Sequence, residues 1–137
     1  MKHCAHVSEY ASENLMYDLI RRSLAEHPDA PLDVLVHHPL VYLVSDRTAL
    51  SEEENRFIDT GMSHLDFLIF NTVTKQPVLA IEVDGVSYHK ECTKQADRDH
   101  MKDHILDVNH IKHMRFKTNG SKEEKILSDL LDEYLRS

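Results

Sequence analysis

The sequence predicts an α/β domain, a small mixed sheet with helices on both faces. Two neighbouring apolar runs, HLDFLIF (64–70) and PVLAIEVD (77–84), are joined by the polar NTVTKQ and read as a β-hairpin with a longer loop. Amphipathic helical stretches lie near both ends of the chain. A third helical stretch separates the hairpin from another short apolar run, so strands and helices alternate. At 137 residues the chain supports one core. The expectation is a single domain over 1–137 with the order α-β-β-β-α-β-α and one added short helix.

Taken in order, Ser8 to about Glu26 reads as the first helix, with Met16, Tyr17, Ile20 and Leu24 at helical spacing and Pro28 to Pro31 ending it. Counting i+3, i+4, i+7 and i+11 from Glu13 lands on those same residues, so Glu13 belongs to the apolar face. A strand follows at about 33–37, then an irregular piece around Pro39. Ser51 and Glu54 form an S-x-x-E capping box that starts a short helix through about Ile58. After the hairpin, Thr93 to Val108 reads as a long helix with Met101, Ile105 and Val108 as its core stripe. HIKHMRF (110–116) reads as a strand. Ser121 and Glu124 form a second capping box, and the last helix carries Ile126, Leu127, Leu130, Leu131 and Tyr134.

Hydrophobic residues make up 41% and charged residues 29%, as in ordinary globular chains. No apolar run reaches the roughly 20 residues that span a bilayer, and no signal-peptide pattern opens the chain. The expected location is cytoplasmic, with no membrane partner. Cys4 and Cys92 stand in unrelated contexts with no CxxC pair, which argues against a disulfide framework or a cysteine zinc site. A net charge of −8 counts against binding nucleic acid by phosphate neutralisation alone. It counts less against a site in which a divalent cation carries the positive charge. Only His100 and His104, among the scattered histidines, fall at i, i+4, and a solvated helix face accounts for them.

Glu82 and Asp84 sit two apart inside a strand otherwise built for burial, and so share a face. If the hairpin loop is symmetric about Thr74, Phe70 faces Val78, Leu68 faces Ala80, and Asp66 faces Glu82. Two carboxylates about 5 Å apart repel by about 3 kcal/mol at an effective dielectric near 20. Asp84 adds a third acid and Glu13 a possible fourth. A divalent cation would supply the opposing charge, and hard oxygen donors select Mg²⁺ or Mn²⁺. The alternative places Asp66 and Glu82 on a solvated edge beyond the core, with Asp84 opening a turn at Gly85.

LDFLIF (65–70) with PVLAIEVDG (77–85) resembles the core of the PD-(D/E)XK nuclease superfamily, whose signature is an Asp on one hairpin strand and (D/E)-x-K on the next. Together with KQADRDHMKDHIL (94–106), SEN (12–14) and TNGS (118–121), the pattern is similar to the branch related to very-short-patch repair endonucleases, including domains appended to helicase-like proteins. This resemblance implies a restriction-endonuclease-like core excised from a longer, helicase-containing protein. It implies Mg²⁺ or Mn²⁺ held by Asp66, Glu82, the backbone carbonyl of Val83 and the first-helix acid Glu13. Asp84 departs from the pattern, because it stands where the superfamily has its lysine. Gln95, Arg98 and Lys102 form a polar stripe on the following helix, from which Arg98 or Lys102 could reach back to replace it. His89 is a candidate to orient water or act as a general acid.

The function expected is therefore metal-dependent phosphodiester hydrolysis on DNA, or alternatively RNA, beside a helicase domain in the same or a partner polypeptide. The rivals are an inactive nuclease-like module that binds nucleic acid or protein, and a purely structural domain. An Arg98 or Lys102 aimed at the Asp66–Glu82 pair would favour the enzyme. The sequence leaves the oligomeric state open.

Overall fold

A computed structural model describes residues 7–84, 93–117 and 122–137. Helix α1 (Val7–Ala25) leads into strand β1 (Leu32–Pro39), a 3₁₀ turn (Leu40–Leu43) and the short α2 (Glu52–Asp59). The hairpin β2 (His64–Asn71) and β3 (Pro77–Asp84) follows, then α3 (Thr93–Val108), β4 (His113–Lys117) and α4 (Lys122–Arg136). The four strands form one sheet in the order β1-β2-β3-β4. The first two pairings are antiparallel and β3 with β4 is parallel. Two parallel strands cannot be joined by a tight turn, and α3 lies in the connection between them.

The sheet is covered on both faces, as the alternation of elements predicts. Met16, Leu19, Ile20 and Leu24 of α1 pack with Leu127 and Leu131 of α4 against Phe67, Ile69, Leu79 and Ile81. On the other face Leu40, Ile58, Ile105 and Leu106 cover Leu68 and Ala80. Each large apolar side chain so buried contributes about 2 kcal/mol of transfer free energy. Among the described residues no helix is long and apolar enough to cross a membrane.

Several local expectations need correction. Tyr17 is 38% exposed and sits at the margin of the α1 stripe, its ring centroid 6.3 Å from that of Phe67. In α3 the buried apolar residues are Ile105 and Leu106, while Met101 and Val108 are only partly covered. The last strand begins at His113 rather than His110 because a left-handed cap ends α3. His110 has φ 58°, its N–H donates to Asp107 O, and Ile111 N–H donates to Leu106 O. This is the Schellman pattern, with Ile111 and Leu106 as its hydrophobic pair. The hairpin register holds at Leu68↔Ala80, but Phe70 pairs with Pro77 instead of Val78, because pairing slips between Ile69 and Phe70. Proline has no N–H for the ladder. The Ser51–Glu54 capping box forms in both directions. Ser121, like Cys4 and Cys92, lies outside the described residues.

Candidate functional site

Glu82 shares parity with Ala80, so β3 aims it at the face covered by α3. It is 5% exposed. Lys102 lies three and four residues before Ile105 and Leu106, on the buried face of α3, and is 9% exposed. Its Nζ donates to Glu82 Oε1 at 2.5 Å and to His64 O at 2.9 Å. The other carboxylate oxygen, Oε2, accepts from Asp66 N–H at 3.0 Å. Asp66 Oδ2 in turn accepts from Val83 N–H at 2.8 Å. Where the β2–β3 ladder ends, the two acids thus take the backbone donors that strand carbonyls would otherwise take.

The strand β1 is distorted beside Asp66. Its register with β2 runs from Val36↔Phe67 to His38↔Leu65, and between them His37 has φ 51°. Left-handed backbone is uncommon for a residue with a side chain, although His is among the types enriched there. His37 Nε2 lies 3.7 Å from Glu13 Oε2. One ligand atom each from Glu13, His37 and Asp66 fall within 4.8 Å of one another. Three separate elements, α1, β1 and β2, therefore converge on one point at the end of the sheet.

Electrostatics divide these acids into groups. Burial pushes the Glu82 carboxyl up from 4.5 to about 7; Lys102 opposes that rise, and the neighbouring Asp66 adds to it. Asp66 is also raised, first by burial and further by Glu13, against the pull of its bonds to Glu82 and Val83. Asp84 belongs elsewhere. Arg115, paired with Glu82 across β3 and β4, lies 3.4 Å from Asp84, 3.5 Å from Asp99 and 2.9 Å from Asp103. Burial raises Asp84 and Asp99, and Arg115 works against both rises. Burial alone would lower Arg115, but Asp99, Asp103 and Asp84 outweigh it and raise the guanidinium's pKa.

With this geometry the chain can be placed among known proteins. It belongs to the family described as Protein of unknown function (DUF2726). The DUF2726 match runs over residues 10–134 and so includes Glu13, His37, Asp66, Glu82 and Lys102. No curated protein and no solved structure matches the chain.

Of the residues singled out from sequence, the fold brings Asp66, Glu82 and Lys102 together, with Glu13 on the far side of Asp66. Val83 joins through its N–H. Gln95 Nε2 donates to Asp99 at 3.1 Å, joining the Arg115 cluster. Arg98 is exposed and forms no ion pair with a described residue. His104 bonds Glu54 at 2.5 Å and His100 is exposed, so they form no common site. His89 lies outside the described residues. The charge argument needs one correction of principle: the cation opposite Glu82 is Lys102 and the cation opposite Asp84 is Arg115. Among the described residues, Glu13 and Asp66 face each other with a histidine and pair with no lysine or arginine. Sequence reasoning missed His37 and Arg115. Nothing in the HHP run (37–39) signals a left-handed residue, whereas the parallel pairing that sets Arg115 beside β3 is a tertiary fact.

Proposed function

We propose that this chain hydrolyses phosphodiester bonds in DNA with a divalent cation, Mg²⁺ or Mn²⁺, as a PD-(D/E)XK-type nuclease of the very-short-patch repair-like branch. It would act beside a helicase domain in the same or a partner polypeptide. The observation that carries this reading is the Lys102 amine seated on Glu82 beside Asp66. The lysine missing from the strand, where Asp84 stands, has a counterpart arriving from α3.

The donor set fits the metal. Glu13 and Asp66 offer hard carboxylate oxygens and His37 offers an imidazole nitrogen, with no thiolate among the described residues. A bound cation would lower the pKa of a water and withdraw charge from the phosphate. The chain's own residues do the rest. Two of the three Lys102 donors are used, by Glu82 and His64 O, leaving one for a phosphate oxygen as its charge develops. Glu82, with its carboxyl pushed up to about 7, can take up or release a proton near neutral pH. Its two oxygens are committed to Lys102 and Asp66 N–H, so it acts by holding the lysine and not as the first metal donor.

One observation favours a second reading. Both Glu82 oxygens and Asp66 Oδ2 already accept hydrogen bonds within the protein, which suits an inactive module whose acids only terminate strands. Thermal melting with millimolar Mn²⁺ or Mg²⁺ separates the two. Ligand at about ten times its Kd adds about 1.4 kcal/mol, several degrees for a domain of this size. The nuclease reading expects a rise in wild type that Asp66→Asn abolishes, and metal-dependent nicking of plasmid DNA that Lys102→Met also abolishes. Equal melting with and without metal, and no nicking, would leave the inactive module.

A further inference from the structure

On the α3 side of Glu82, across Lys102, lies an open groove of about 620 Å³. Its walls are the end of α2 and the turn into β2 on one side and the first half of α3 on the other. Phe57 and Met62 supply apolar surface and Gln95, Arg98 and Lys102 supply donors, while His64 donates its Nδ1–H to Met62 O. Met62 is 79% exposed, next to the left-handed Gly61 at φ 68°. Among the described residues no carboxylate lines the groove, although the chain carries 24 acids against 16 lysines and arginines. Arg98, exposed one turn before Lys102, forms no ion pair with a described residue.

We propose that this groove holds a single strand of nucleic acid leading to the Lys102–Glu82 pair, with a base against Phe57 and Met62 and a backbone phosphate on Arg98. The proposal deepens the nuclease reading and rests on it for the strand's destination. The chemistry of the lining argues for a strand over an anion alone, because a phosphate needs only the cations. An apolar floor beside a cation matches the base-and-phosphate repeat, the usual device of single-strand binders. A base buried in a duplex would not offer its face to Phe57 and Met62. An overall acidic chain whose groove holds, among the described residues, one arginine without a described ion-pair partner also implies few phosphate contacts. Binding should then weaken only shallowly with salt, with a slope of about −0.7 per phosphate contacted.

The test is fluorescence anisotropy of the full chain with a short labelled oligodeoxythymidylate in EDTA, so that cleavage cannot intervene. Wild type should bind the single strand saturably and in preference to the matched duplex. Arg98→Glu should weaken binding about tenfold, and Met62→Ala several-fold. Arg136→Glu, the same charge reversal on α4 across the sheet, should change it less than about twofold if the site is local. Preference for the duplex, equal losses from Arg98→Glu and Arg136→Glu, or no saturable binding would each overturn the groove. Its fate separates from that of the nuclease reading. Strand binding that Arg98→Glu removes, in a chain that never cleaves with Mn²⁺, keeps the groove and ends the reading. Cleavage by wild type, with Arg98→Glu unchanged in binding, does the reverse.

Discussion

Replacing Glu82 by Gln should flatten the dependence of stability on pH. Below pH 4.5 the Glu82 carboxyl is protonated whether the chain is folded or not. Between 4.5 and about 7 the unfolded chain ionises it, while the folded protein holds the proton because the site is buried. The folded state binds more protons across that window, so stability falls as pH rises through it and levels off above about 7. A rise from 4.5 to about 7, at about 1.4 kcal/mol per pH unit, corresponds to an effect of about 3 kcal/mol, or about 10 °C in Tm for a domain of this size. Gln keeps the shape without the titration. Asp66, Asp84 and Asp99, all raised by burial, contribute the same sign, so the informative quantity is wild type minus variant. Urea or thermal unfolding from pH 4.5 to 8 should show the two proteins alike at the acid end, Glu82→Gln increasingly favoured up to about pH 7, and a constant gap above it. Parallel curves would refute the assignment of a buried, proton-holding carboxyl at Glu82.

Lys102→Met should cost about 3 kcal/mol at pH 8, where it removes the cation that favours the ionised Glu82 carboxylate, and far less at pH 5, where Glu82 carries a proton in either protein; pH-resolved unfolding reads the difference. Arg115→Met should destabilise by about 2 kcal/mol at neutral pH, where Asp84, Asp99 and Asp103 are left facing one another, and by less as pH falls, since burial already raises the Asp84 and Asp99 carboxyls; pH-resolved unfolding reads the difference. His37→Ala should narrow the gap between the thermal shifts produced by Mn²⁺ and Mg²⁺, since the imidazole favours the transition metal; equal shifts from both metals in wild type would count against His37 as a ligand. Ser51→Ala should cost about 1 kcal/mol, seen as a fall of about 3 °C in Tm, by breaking the capping box that starts α2.

Elements came from the sequence more reliably than ionic partners did. The bounds of α3, the hairpin pairing at Leu68↔Ala80 and the capping box at Ser51 follow from local periodicity and turn chemistry, and all three hold. Lys102 was legible as a candidate but its burial was overlooked. The face-counting that places Glu13 on the α1 stripe also places Lys102 three and four residues before Ile105 and Leu106. A lysine on a buried face needs a buried acid, and Glu82 was the acid in reach. The slip at Phe70, the left-handed His37 and the Schellman cap at His110 were not legible, because no glycine or asparagine marks the left-handed positions and the slip depends on strand pairing. Arg115 was hidden for another reason. Its value to Asp84 exists only once β4 pairs in parallel with β3, about 30 residues away in the chain.

The position of Asp84 now has a physical account. A lysine two residues after Glu82 would bring its cation along the same strand. Here the cation comes from α3, and the strand position is free to hold an acid. That acid, half-buried at the end of β3, requires a partner of its own, and Arg115 on the adjacent strand provides it while also holding Asp99 and Asp103 of α3. Arg115 therefore ties β4, the end of β3 and the helix carrying Lys102 into one unit. Lys102 reaches Glu82 from α3, the same helix that Arg115 grips through Asp99 and Asp103. Glu13, His37 and Asp66 converge on the other side, where among the described residues neither acid pairs with a lysine or arginine, so that corner sets two carboxylates beside a histidine.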